Sequence, residues 1–215
     1  MREKCPFCFN NRKYFLRKNG YIVEDMYFYE DDFYSISPDL APLVTGHLLI
    51  IPKKHYSSFG ELNNPQIISS IKKNSERLLG TSDLLYFEHG AVVEGEAGAS
   101  VDHAHLHVMP RPIGIDENAI DYYIKSSSFV YSEKIQVSDN TLYSFFEQRQ
   151  PYIYYEINNN QFAYTVNHIP HQFLRLMLQP FCSINYNWRE TYKLKECKDN
   201  VFKTMEFVNK VRTKC

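Results

Sequence analysis

Residues 103–109 read His-Ala-His-Leu-His-Val-Met. In an extended chain successive side chains point to opposite faces, so His103, His105 and His107 share one face while Ala104, Leu106 and Val108 point the other way, into a core. The pattern predicts a strand over 102–109, ended by Pro110 and Pro112. Two chemistries fit such a histidine face. Imidazoles two residues apart can converge on one catalytic metal ion. Alternatively, a neutral imidazole attacks phosphorus while its neighbours orient the substrate. Histidine suits that role because its unperturbed pKa of about 6.5 leaves it mostly neutral and nucleophilic at pH 7. Gly98-Ala99-Ser100, immediately upstream, is a loop of small residues whose backbone N–H groups can approach phosphate oxygens.

The rest of the chain bounds what surrounds that strand. Its 215 residues suit one large domain, or one domain with an addition, and can bury a substantial core. Hydrophobic residues at 44% and aromatics at 15% exclude intrinsic disorder. With 24 Lys+Arg against 25 Asp+Glu, the charge argues against a nucleic-acid polymer as partner but permits a small basic pocket for one nucleotide. No apolar run is long enough to cross a membrane, and the N-terminal stretch, broken by Pro6, lacks the apolar centre of a signal peptide. Cys5, Cys8, Cys182, Cys197 and Cys215 make an odd set that reads as reduced thiols, with the close pair better suited to metal than to a bridge. The expectation is a cytoplasmic α/β or α+β protein.

Local patterns sketch the elements. Residues 21–29 and 33–36 read as a hairpin around the acidic turn 30–32, and 47–51 as an inner strand stopped by Pro52. Asn64 can cap a helix that begins at Pro65, carries Ile67, Ile68, Ile71, Leu78 and Leu79 on one stripe, and closes at Gly80. Residues 84–89 read as a strand, 152–157 and 161–166 as a second hairpin, 170–181 as a helix, and 188 onward as a longer one. A sheet-and-helix unit over 1–114 followed by an extension over 115–215 is the expected division.

HAHLHVM resembles the signature of the histidine triad (HIT) family. GHLLIIPKKH (46–55) looks like that family's strand and Pro-basic-basic-His corner, and DLAP (39–42) like its upstream acidic residue and proline. FEHG (87–90) and GASVDH (98–103) look like its phosphate-facing loop. The likeness covers about residues 5–112. It implies an α+β fold: an antiparallel sheet of about five strands with a long helix, here with a C-terminal hairpin and helical extension. It also implies a nucleotidyl hydrolase or transferase working by double displacement, with hydrolysis favoured. His105 would attack the α-phosphorus, His107 would contact phosphate oxygens and help expel the leaving group, and His103 would orient the strand or bind metal. Asp39 falls where the family accepts from ribose hydroxyls, Ser100 on a small hydroxyl residue near phosphate, and Phe33 and Ile36 on the strand that lines the base pocket. His47 would support the triad. Ala99 replaces a frequent Gln and Glu88 a frequent Asn near the substrate, although the uridylyltransferase branch carries a similar Phe-Glu stretch.

Cys5-Pro6-Phe7-Cys8 alone is ambiguous among a redox pair, half a zinc knuckle and two buried thiols. The resemblance supplies partners. In many microbial members and in galactose-1-phosphate uridylyltransferases, a CxxC joins the corner histidine and the first triad histidine around zinc, which here selects Cys5, Cys8, His55 and His103. Four protein ligands would make that zinc structural. The family commonly forms homodimers with joined sheets, although the extension could occupy that surface or stand in for the second subunit. Arg175 is a candidate phosphate contact from the extension, within a polar-aromatic set that includes His168, His171, Trp188 and Arg189, and His89 reads equally as functional or structural. Competing readings are transfer of the nucleotide to phosphate or a sugar phosphate, a nucleotide-binding module without catalysis, and metal hydrolysis by the three histidines.

Overall fold

A computed structural model describes residues 5–92, 101–129, 132–138, 140–167, 170–182, 184 and 191–214. The strands are β1 (Tyr29–Glu30), β2 (Tyr34–Pro38), β3 (Leu48–Pro52), β4 (Leu84–Gly90), β5 (Leu106–Pro110), β6 (Ile135–Gln136), β7 (Tyr152–Ile157) and β8 (Asn160–Thr165). They form one antiparallel sheet in the order β1-β2-β3-β5-β4-β7-β8-β6. The fold is α+β, as expected. Its first half supplies five strands, β1 to β5. The C-terminal hairpin, β7 and β8, continues that sheet by pairing β7 along β4, with Phe87 opposite Tyr155 and Glu88 opposite Tyr154. Strand β4 is buried on nearly its whole length, and β7 caps the backbone edge that it would otherwise leave unpaired. A homodimer made by joining sheets at β4 therefore has no open strand there; the outer strands, β1 and β6, are two residues each.

The helices are α1 (Phe9–Lys18), α2 (Val23–Met26), α3 (Phe59–Leu62), α4 (Pro65–Leu79), α5 (Glu117–Lys125), α6 (Thr141–Glu147), α7 (Phe173–Leu178) and α8 (Lys195–Arg212). Helix α4 has the predicted limits: the Asn64 side chain accepts from the Gln66 and Ile67 amides at 3.1 Å, Pro65 opens the first turn, and Gly80 ends it at φ +65°. The hairpin expected over 21–36 is shorter than its sequence pattern. Residues 23–26 form a helical turn, and Asp31 holds the tight turn by accepting from the Phe33 and Tyr34 amides. The helix expected over 170–181 begins only at Phe173, because Gln172 is left-handed at φ +63°, and it passes into a 3₁₀ turn over Gln179–Cys182. Its longer successor starts at Lys195; Trp188, Arg189 and His168 lie outside the described residues.

Each face of the sheet has its own core. On one, Ile36, Leu48, Ile50, Tyr86, Ala104, Leu106, Val108 and Tyr154 pack under Ile67, Ile71, Leu78 and Leu79 of α4. On the other, Leu85, Phe87, Met109, Ile153 and Tyr155 pack under α5 and α7 through Ile120, Ile124, Leu174 and Leu178. Leu16 of α1, Met26 of α2 and Val201 of α8 form a third cluster, which shares Met205 as a neighbour with the first. Fully burying one such aliphatic chain stabilises by roughly 1.5–3 kcal/mol. The alternation along 103–108 holds, since Ala104, Leu106 and Val108 are all in the α4-side core. The hydrogen-bonded strand, however, starts only at Leu106.

Candidate functional site

Strand β5 and the segment before it point His103, His105 and His107 away from the α4-side core, but the three rings have different partners. A carbonyl oxygen can only accept, and this fixes two tautomers. His103 Nε2 is 2.9 Å from the Pro52 carbonyl, so Nε2 carries the proton and Nδ1 presents its lone pair. That lone pair faces Cys5 Sγ at 3.5 Å and Cys8 Sγ at 3.7 Å. His105 Nδ1 donates to the His103 carbonyl at 2.7 Å, which leaves Nε2 of His105 as the free base. The edge of this ring rests against Phe7 at a centroid distance of 5.0 Å.

His107 is placed by a relay. The Leu43 amide donates to His47 Nδ1 at 3.1 Å, so His47 carries its proton on Nε2 and donates to His107 Nδ1 at 3.0 Å. His107 in its neutral form thus bears its proton on Nε2. Its ring stacks on Phe87, the opposite residue on β4, at 4.5 Å and an interplanar angle of 7°. Burial holds His105 below the usual histidine range and His107 well below it, despite the attraction of Asp39. His47 is pushed down to about 3 by burial. All three are therefore neutral at pH 7.

Asp39, just after β2, sits beside this relay. Its Oδ1 accepts from the Ala41 amide at 2.7 Å, and its Oδ2 accepts from Arg175 Nη1 at 2.6 Å and lies 3.4 Å from His107 Nδ1. Arg175, on α7, also donates to the Ala41 carbonyl. Burial pushes Asp39 up, but the charge of Arg175 outweighs it and holds the carboxylate well below its ordinary range. Asp39, His47 and His107 bring ligand-type atoms together. Both ring nitrogens of His47 are already committed within the relay, so the group is a hydrogen-bond network rather than a metal centre. A cavity of about 310 Å³ opens onto His105, His107, Asp39 and Arg175, walled by Phe7, Arg12, Phe15 and Tyr192.

The sequence-predicted metal ligands also meet. Cys5, Cys8, His55 and His103 each bring one ligand atom within 4.8 Å of the others, with Cys8 Sγ 3.3 Å from His55 Nδ1. A tetrahedral zinc ion with ordinary bond lengths separates sulfur from nitrogen by roughly 3.5 Å. The donor set and its spacing fit zinc, and the Pro52 carbonyl supplies the outer hydrogen bond that orients a metal-binding histidine. With both its nitrogens committed, His103 cannot join His105 and His107 on a shared catalytic ion, which removes the three-histidine metal site as a reading.

Three expected substrate contacts lie elsewhere. Ile36 is fully buried in the α4-side core and Phe33 is 59% exposed, so neither lines the cavity: Ile36 shares a face with Tyr34, while the residues on the histidine face of β2 are Ser35 and Ser37. Glu88 is on the α4 side too, one residue out of phase with Phe87. It accepts from the Phe59 amide at 2.8 Å and from the Tyr152 hydroxyl at 2.9 Å, and burial pushes it up to about 7. It ties α3 to β4 and β7. Ser100 lies outside the described residues. His89 accepts from the Leu174 amide at 3.3 Å, which ties β4 to the first turn of α7, the helix that carries Arg175. Sequence reasoning missed the cavity residues Phe7, Arg12 and Tyr192. For Arg12 a signal existed, because it sits at helical spacing from Phe15 and Leu16.

Comparison with known proteins agrees with this geometry. The model of the HIT domain matches residues 23–113. An uncharacterized HIT-like protein of Methanocaldococcus jannaschii is 35% identical over 95 residues, covering 41% of this chain and 70% of that protein. An adenosine 5'-monophosphoramidase of Schizosaccharomyces pombe is 30% identical over 76 residues, 34% of this chain and 55% of that one. Among solved structures, a yeast Ap4A phosphorylase is similar over 94% of this chain and 79% of its own, at 15% identity and a TM-score of 0.44. Because the Methanocaldococcus jannaschii protein is 35% identical and aligned over 70% of its own length, the chain belongs to the histidine triad (HIT) family.

Proposed function

We propose that this chain is a nucleotide-processing enzyme that forms a covalent nucleotidyl-histidine on His105, with hydrolysis as the favoured outcome. The observation that carries the reading is the pair of tautomers: His105 faces the cavity with a bare Nε2, and His107 beside it with an Nε2–H. In the first step the His105 Nε2 lone pair forms a bond to the α-phosphorus as the bond to the leaving group breaks, its electron pair departing with that group. His107 donates to a phosphoryl oxygen and stabilises the charge that accumulates there. In the second step water attacks the same phosphorus and releases a proton to solvent, and the N–P bond breaks with its electron pair returning to His105 Nε2. An acceptor phosphate or sugar phosphate in place of water would make the enzyme a transferase. Burial keeps the nucleophile neutral without a dedicated base.

Asp39 keeps further lone pairs beyond those used by Ala41 and Arg175, enough to accept from a ribose hydroxyl. Ser100 remains a candidate for the phosphate side. Cys5, Cys8, His55 and His103 would hold a structural zinc that fixes the start of the histidine segment and the first turn of α1, where the Arg12 amide donates to the Cys8 carbonyl at 2.8 Å. Similarity to a phosphoramidase supports a nucleotide substrate.

The test replaces the nucleophile. His105→Asn should lower turnover of a nucleoside phosphoramidate or dinucleoside polyphosphate by several orders of magnitude while leaving nucleotide binding within a few-fold of wild type. Turnover reduced by less than tenfold would refute His105 as the attacking group.

A further inference from the structure

Helix α1 turns one face inward, and that face carries a charge. Arg12 and Leu16 are its buried residues, and Arg12 is only 3% exposed. Its guanidinium carbon lies 5.1 Å from the centre of the Phe7 ring and 6.0 Å from that of Phe15, and the residue lines the histidine cavity. Nε and Nη2 are buried with no hydrogen-bond partner among the described residues, and the hydroxyls of Tyr21 and Tyr27 share that condition. Arginine keeps its charge inside proteins, so unmade donors here are costly. Asp39 does not relieve them, because the guanidinium it binds is that of Arg175.

The two nitrogens without partners are informative as a pair. Nε and Nη2 form one side of the guanidinium fork, two parallel donors that match two acceptors lying in one plane. Such a pair occurs on the O6/N7 edge of guanine and on two oxygens of a phosphate. Adenine presents an amino donor in place of O6 and mismatches the fork. The aromatic walls formed by Phe7, Phe15 and Tyr192 suit a flat base.

We propose that Arg12 is a specificity residue that binds a paired-acceptor group of the substrate, the guanine edge being the source that these walls favour. The inference rests on the nucleotide reading above and adds a substrate class to it. It predicts discrimination between purines that the histidines, which address only phosphorus and its oxygens, do not supply.

The experiment measures calorimetric binding of GMP, AMP and pyrophosphate to the full chain and to Arg12→Lys and Arg12→Gln. Lysine keeps the charge but loses the fork, and far-ultraviolet circular dichroism checks that each variant is folded. Wild type should prefer GMP over AMP by roughly tenfold or more, with both variants losing most of that preference. A loss confined to pyrophosphate affinity would assign the fork to phosphate oxygens instead, still a paired acceptor. Nucleotide and pyrophosphate affinities within twofold of wild type in both variants would overturn the inference alone. Failure of wild type to bind any of the three would overturn the nucleotide reading with it.

Discussion

His103 gives its Nε2 proton to the Pro52 carbonyl, His105 gives its Nδ1 proton to the His103 carbonyl, and His107 receives at Nδ1 from His47. Three residues alike in sequence thus take on different hydrogen-bonding roles, with protons on Nε2 of His103, Nδ1 of His105 and Nε2 of His107. The face they share was legible from alternation with Ala104, Leu106 and Val108, whereas these roles depend on partners 51 and 60 residues away. Long range also hid the Asp39–Arg175 pair, separated by 136 positions. Both side chains are nearly sealed from solvent, so Arg175→Met should destabilise the protein by roughly 3–5 kcal/mol in a denaturant titration, with Asp39→Asn/Arg175→Met recovering part of the loss. A single variant within about 0.5 kcal/mol of wild type would show that the pair is dispensable. Glu88 offers a pH test. Its folded pKa of about 7 lies above its ordinary 4.5, so the folded state binds the extra proton between those values and stability from this group falls as pH rises through that window. Relative to Glu88→Gln, wild type should lose roughly 3 kcal/mol from pH 4.5 to pH 8. Parallel stability curves for the two proteins over that range would contradict the assignment.

At the scale of elements, α4 was readable end to end because its information is local: an acceptor at Asn64, proline at the first position, an apolar stripe, and glycine where φ turns positive. Asn64→Ala should cost about 1 kcal/mol, seen as a lower denaturation midpoint with an unchanged slope. The phase of β4 was not readable in the same way. Phe87 and Glu88 look equally able to face the substrate until pairing with β5 sets Phe87 opposite His107. Helix α1 is hard to read from sequence because its inward face holds an arginine among polar neighbours, a pattern that looks like surface. Its first turn is bound to the Cys5-Cys8 loop, so the metal site and the helix should be lost together. The purified protein should contain about one zinc per chain, and chelation should lower its melting temperature reversibly. Melting that is indifferent to chelator, with no bound metal, would exclude the zinc.

The whole molecule is organised by one sheet that crosses the expected division near residue 114. The first half contributes the triad, Asp39, Cys5 and Cys8; the second contributes β7 along β4 and Arg175 on α7 beneath the same face. The change of local pattern near residue 115 hinted at two halves, but only strand pairing reveals that the second continues the first and reaches its cavity. No helix among the described residues is long and apolar enough to cross a membrane. With β4 covered from within the chain, light scattering should give a mass near the 25.4 kDa of one chain, and a stable joined-sheet dimer would require another edge. The covalent step itself can be trapped. Incubation with an α-labelled nucleoside phosphoramidate or dinucleoside polyphosphate, quenching in base and peptide mapping should place an acid-labile, base-stable label on His105. Turnover of the same substrate with no label on His105 at any quench time, or with the label on another residue, would mean that His105 is not the nucleophile.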